Sequence, residues 1–144
     1  ALALRGAGAR PGAWAARTLA ATASHHAWLR ADEARARLAA RMAVVFEAWD
    51  VVIAPAAPVT AFLDSGRRPP LGEGRAPSRS ELPRWSALAS TLGLPATCAP
   101  VGLAAGLPVG VQIIGPAGGD SRTLAVAEAC EAELGGFAPP PLCL

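Results

Sequence analysis

The sequence predicts an α/β fold on three observations: a long amphipathic helix running straight into a β-branched strand, two apolar segments joined by a glycine-containing turn, and a closing helix bounded by turn residues. With 144 residues the chain fits one modest domain, and a domain of that size buries roughly 68–70% of the surface its unfolded form exposes. Residues 1–23 are rich in Ala, Gly and Arg without a clean period, and they are expected to form a loosely structured lead-in. The structured segment is expected to run over residues 24–144.

From Ser24 to Trp49, Leu38, Met42, Val45 and Trp49 recur every three to four residues. Asp32, Glu33, Arg35, Arg37 and Arg41 supply a polar face, which is the pattern of one amphipathic helix. Glu33 stands four residues before Arg37, a favourable helical ion pair. Asp50 then introduces Val51, Val52 and Ile53, a short β-branched run closed by Pro55 and Pro58 that predicts a buried strand. Val59 to Pro83 has no period and fills with Gly, Pro, Ser and Arg, so it reads as a long loop. Trp85, Leu88 and Leu92 predict a short helix ended by Gly93 in the left-handed conformation. Pro95–Val101 and Pro108–Ile114 are apolar on both faces, as strands covered on both sides by helices are, and Gly102–Leu107 is the turn between them. Asp120 or Ser121 is the expected cap of the last helix, with Leu124, Ala127 and Leu134 near one face and Gly135–Gly136 as its stop.

The chain contains no Lys, no Asn and no Tyr, and all 13 basic residues are Arg. Any chemistry that needs a Lys base, a Schiff-base Lys or a P-loop Lys is thereby excluded within this chain. The net charge of +2 comes from Arg scattered among carboxylates rather than from a block, so neither nucleic acid nor a membrane surface is an expected partner. No stretch is apolar enough to span a bilayer, and Arg5, Arg10 and Arg17 interrupt the region a secretory signal would need, so a cytoplasmic location is expected. Cys98, Cys130 and Cys143 are odd in number and widely spaced, which speaks against a disulfide framework or a zinc ribbon. The chain opens with Ala1 and its one Met is Met42, so either processing removed a start residue or the sequence is a piece of something longer.

Three linked blocks then point to a family. They are Gly93-Leu94-Pro95-Ala96, Pro100-Val101-Gly102, and Gly106-Leu107-Pro108-Val109-Gly110-Val111-Gln112-Ile113-Ile114-Gly115-Pro116. Upstream, Phe46 to Pro58 supplies a helix end, an aspartate, a strand and a proline-rich turn, and Asp120 to Leu134 supplies a closing helix. From about Ser24 onward this resembles the C-terminal portion of the amidase signature family. The resemblance implies a large α/β enzyme with a mixed β-sheet flanked by helices. It also implies a nucleophilic Ser activated through a cis-peptide Ser and a Lys, with backbone N–H groups holding the oxyanion. Those residues belong to the family's N-terminal and central portions. With no Gly-Gly-Ser-Ser-like segment and no Lys, no catalytic residue is carried over to this chain.

The expected contribution of the chain is therefore structural, with a share in the substrate pocket. Ala56, Ala57 and Pro58 at the strand exit are the pocket candidates, because ligands of open α/β sheets lie at strand ends. Trp85 is a further candidate, against its plainer role as a core aromatic. No metal and no cofactor is expected: His25 and His26 are adjacent, so they point apart on a helix, and no ligand spacing accompanies them. Cys98 reads as a buried structural thiol without an activating base. A pairing of Ser86 or Ser90 with His25 has no nucleophile motif behind it. Arg67, Arg68, Arg75, Arg79 and Arg84 make the long loop basic, the mark of a solvated loop or of a surface that steers an acidic substrate.

The expected function is the C-terminal part of an amidohydrolase that cleaves a small-molecule carboxylic amide to acid and ammonia or amine. The alternatives are the glutaminase-like subunit of a transfer-RNA amidotransferase and a stand-alone, non-catalytic remnant or binding module. Strands cut from a larger sheet leave unpaired edges, so the isolated chain is expected to self-associate as a homo-oligomer or aggregate.

Overall fold

A computed structural model describes residues 22–62, 81–137 and 139. The lead-in up to residue 21 and the basic loop positions Arg67, Arg68, Arg75 and Arg79 lie outside the described residues.

Helix α1 spans His25–Ala48. The Ser24 hydroxyl caps it by accepting from the Ala27 N–H at 3.2 Å. Glu33 and Arg37 form the expected i,i+4 pair at 2.7 Å, and Asp32 and Arg35 add an i,i+3 pair at 2.8 Å. Amphipathic spacing normally marks a packed face, yet α1 has no buried residue; Leu38 is 44% exposed and Trp49, at its end, 68%. Among the described elements it packs chiefly against the short helix α2, Ser86–Leu92, whose Ala89 and Leu92 are buried. Gly93 ends α2 with φ 67°, the left-handed C-cap that its lack of Cβ makes cheap.

Strands β1 (Val52–Pro55), β2 (Ala96–Ala104) and β3 (Leu107–Ile114) form one sheet in the order β1-β3-β2, with both pairings antiparallel. Ile113 and Ile114 are both 0% exposed. Neighbours on a strand point to opposite faces, so the end of β3 is covered on both sides. Full covering does not extend to the outer strands: Ile53 is 55% exposed, and Cys98 is exposed rather than the buried thiol its apolar neighbours suggested. Both lie on strands that, among the described residues, are paired on one side only.

β2 is longer than its sequence pattern indicates. Val101 is looped out between the pairs Pro100↔Gly110 and Gly102↔Val109, and Gly102, at φ 136°, lets the strand bend there and resume pairing as far as Ala104↔Leu107. The turn is thus only Ala105-Gly106, with φ 51° and 77°. Two positive φ values define the type I′ hairpin turn, which favours Asn-Gly. Ala105→Asn is expected to stabilise the protein by about 0.5–1 kcal/mol, since Ala bears the left-handed steric penalty that Asn tolerates; thermal unfolding of the two proteins checks it.

Helix α3 spans Asp120–Leu134 and packs on β2, with fewer contacts to β3. Its N-cap is Gly119, with no side-chain cap, instead of Asp120 or Ser121. The Gly119 carbonyl accepts from the N–H groups of Arg122 and Thr123 at 3.0 and 3.2 Å. Leu124 and Leu134 are each 54% exposed, while Thr123 is the buried residue, so the packed face is rotated from the one its leucines mark. Thr123 donates its hydroxyl hydrogen to the Asp120 carbonyl at 2.8 Å. The 2.9 Å bond between the Thr97 and Thr123 hydroxyls therefore has Thr97 as donor, because Thr123 has no second hydrogen to give. Gly135, at φ 87°, stops the helix as expected.

Candidate functional site

The sheet order determines what surrounds the exit of β1. Because β1 pairs with β3, the segment after Pro55 runs alongside the beginning of β3, and the Ala56 N–H donates to the Gly110 carbonyl at 3.3 Å. Between Ala56–Ala61 and Pro108–Gly110 lies an open hollow of about 350 Å³, within the size range of small-molecule sites. Ala56, Ala57 and Pro58 line it, whereas Trp85 does not. Trp85 immediately precedes α2 and is 41% exposed, so it is neither part of this hollow nor a filled core position.

One buried polar side chain holds the end of the strand that leads into the hollow. Gln112, 3% exposed, stands on β3 opposite Ala54 and donates from Nε2 to the Pro55 carbonyl at 2.9 Å. The last residue of β1 is thereby fixed, and with it the direction in which Ala56–Pro58 leave the sheet. Sequence reasoning placed Ala56–Pro58 at a strand end but missed Pro108, Val109, Gly110 and Gln112. The signal was there in the antiparallel register that sets Ala56 against Gly110, but it is visible only once β1 is known to neighbour β3.

Among the described residues, the hollow's lining carries no ionisable side chain, and its one side-chain hydroxyl is that of Thr60. These residues can enclose part of a ligand. The hydroxyls considered for nucleophilic pairing are occupied locally, Ser86 donating to the Pro83 carbonyl and Ser90 to that of Ser86, both at 3.2 Å. The His25 ring stacks on Trp28 with centroids 6.0 Å apart. Asp50 and Arg122 approach to 3.3 Å between the start of β1 and the first turn of α3, an exposed pair of small energetic weight. No helix among the described residues is long and apolar enough to cross a membrane.

Comparison with known proteins bears on the family and the fold. The amidase family model matches residues 10–124, starting within the lead-in and ending in the first turns of α3. A glutamyl-tRNA(Gln) amidotransferase subunit of Exiguobacterium sp. (strain ATCC BAA-1283 / AT1b) is 38% identical over 114 residues, covering 78% of this chain and 22% of the relative. The protein of the same name from Thermus thermophilus is 38% identical over 102 residues, 71% of this chain and 20% of its own length. Among solved structures, a crystal structure of an amidase superposes with a TM-score of 0.71 at 26% identity, over 78% of this chain and 26% of that one. The corresponding glutamyl-tRNA(Gln) amidotransferase subunit of Thermotoga maritima gives 0.69 at 29% identity, over 87% and 27%. The chain thus spans about a fifth of the curated relatives it matches. From its Gly-Leu-Pro, Pro-Val-Gly and Val-Gln-Ile-Ile-Gly blocks to its α/β fold, the chain belongs to the amidase signature family.

Proposed function

We propose that this chain is the C-terminal part of an amidohydrolase that hydrolyses a small-molecule carboxylic amide to acid and ammonia or amine. The nucleophilic Ser, the cis-peptide Ser and the Lys lie in polypeptide outside it, and the domain that residues 24–144 belong to is incomplete without them. The absence of Lys from residues 1–144 supports this division, since the relay cannot be assembled from the groups present. The chain supplies three sheet strands, a covering helix, and the uncharged wall of a pocket at Ala56, Ala57 and Pro58. That hollow at the exit of β1 carries the reading, because a strand end lined by small side chains is where an open α/β sheet receives a ligand. The enzyme works in the cytoplasm and needs no metal or cofactor.

One observation favours a second reading. Several curated relatives, at 35–38% identity, are subunits of a glutamyl-tRNA(Gln) amidotransferase, and the chain would then belong to a glutaminase-like protein that takes ammonia from glutamine for its partner in the complex. The test is ammonia release by the product of the complete reading frame, beside the 144-residue chain alone. Release from simple amides by the complete product only supports the amidohydrolase. Release confined to glutamine and dependent on a partner protein supports the amidotransferase. Silence from both proteins with every amide leaves a binding module.

A further inference from the structure

The two walls of the hollow at the exit of β1 are held differently. The wall of residues 108–110 belongs to β3, the central strand, which pairs on both sides. Its approach to β2 is close: a Cβ on Gly110 would stand 3.2 Å from the Ala99 carbonyl oxygen. Residues 56–61 form the other wall and lie beyond the last residue of β1. Among the described residues, positions 57–61 make no hydrogen bond, so the placement of this wall is set at its root.

Two bonds hold that root. The Ala56 N–H donates to the Gly110 carbonyl at 3.3 Å, longer than the usual N–H···O range of about 2.7–3.2 Å. The other is the 2.9 Å bond from Gln112 Nε2 to the Pro55 carbonyl. Hydrogen-bonded and non-hydrogen-bonded pairs alternate along an antiparallel ladder. With Ala56 and Gly110 a hydrogen-bonded pair, Pro55 and Val111 form a non-hydrogen-bonded one, and the Pro55 carbonyl takes no donor from the β3 backbone. The Gln112 side chain supplies that donor. At 3% exposure its amide has little water to turn to, so giving up the bond would leave a buried donor unpaired. Gln112 stands on the same strand as the fixed wall, two residues after Gly110, and thereby ties one wall to the other.

We infer that Gln112 is a positioning residue for amide hydrolysis: acting through the Pro55 carbonyl, it sets the distance between the two walls and so the fit of the substrate group held between them. Gln112 does not itself line the hollow. The role rests on the proposed function, which makes the hollow part of the substrate pocket.

The experiment is steady-state ammonia release by the product of the complete reading frame, with primary amides from acetamide to benzamide as probes and KM measured for the one hydrolysed fastest. Gln112→Met keeps an unbranched side chain of similar length and removes the donor. KM is expected to rise about tenfold, the scale of one neutral hydrogen bond, with kcat within about twofold, because a displaced wall weakens binding that substrate and transition state share. Gln112→Asn keeps the amide but is one methylene shorter, and it is expected to raise KM in the same way. Loss of folded protein alone would lower kcat per mole of chain and leave KM where it was. That is the result expected of Ile113→Ala, the next residue on β3, whose side chain points to the opposite face of the sheet.

An unchanged KM in a folded Gln112 variant, or a fall in kcat alone, would overturn the inference. So would failure of both Gln112 variants to fold, which would make the residue a support of the core and nothing more. Silence of the unsubstituted product with every amide rejects the activity and this role with it. Hydrolysis by the unsubstituted product, with KM unmoved in the variants, rejects this role alone.

Discussion

Ile113→Ala is expected to cost about 3 kcal/mol of unfolding free energy, and Ile114→Ala about the same, whereas Ile53→Ala costs less than about 1 kcal/mol in the 144-residue chain. All three remove the same atoms from strands of one sheet. The difference lies in where those atoms sit: Ile113 and Ile114 are fully enclosed on opposite faces of the central strand, and Ile53 is 55% exposed on an outer one. An enclosed truncation loses the transfer free energy of the deleted atoms and leaves a cavity that the surroundings fill only in part; an exposed one does neither. Chemical unfolding of the three variants measures the contrast. Losses below about 1 kcal/mol at Ile113 and Ile114 would mean that the centre of the sheet is not tightly packed.

Gly115→Ala is expected to cost about 2 kcal/mol, and Thr123→Ser to restore a large part of it. A Cβ on Gly115 would stand 2.7 Å from Thr123 Cγ2 and 3.2 Å from the Gly119 carbonyl. The space is closed because β3 and the first turn of α3 meet there, with Thr123 tied to both Asp120 and Thr97 through its hydroxyl. Replacing Thr123 by Ser deletes the obstructing methyl and keeps that hydroxyl, so the two substitutions should be coupled. A double-mutant cycle by chemical unfolding reads the coupling. Purely additive losses would show that the strain at Gly115 comes from the backbone around Gly119 and not from the threonine methyl.

The elements that were legible in the sequence are those governed by local chemistry. The Leu38–Trp49 spacing, Gly93 and Gly135 as stops, and the β-branched run before Pro55 each act within a turn or two of the chain. What the sequence obscured depends on neighbours. Leu38, Val45 and Trp49 keep helical spacing yet stay exposed, as does Cys98, because periodicity records that a face is meant to be covered and says nothing of which polypeptide covers it. Gly102 read as the start of a turn, since a glycine that bends a strand and one that reverses it look alike until the partner strand is known. Thr123, a polar residue among leucines and alanines, gave no hint that it is the buried contact of α3; its two hydroxyl bonds make that burial tolerable. At the hollow, Ala56–Pro58 were legible as a strand exit, but the opposite wall came from a segment far along the chain.

The sheet order also bears on how the chain assembles. The β2–β3 hairpin closes through two residues, so its pairing is local and can form on the microsecond scale of isolated hairpins. β1 reaches the other side of β3 only after the whole segment between Pro55 and Leu107 has been looped out, and long-range closure of that kind slows folding far more than it lowers stability. The hairpin is therefore the natural nucleus, with β1 arriving last. Since doubling a loop's length adds only about 0.6 kcal/mol to its closure, the stretch between β1 and α2 can lengthen or shorten among homologues at little thermodynamic cost. Such length changes would register in the folding rate before they registered in the melting temperature.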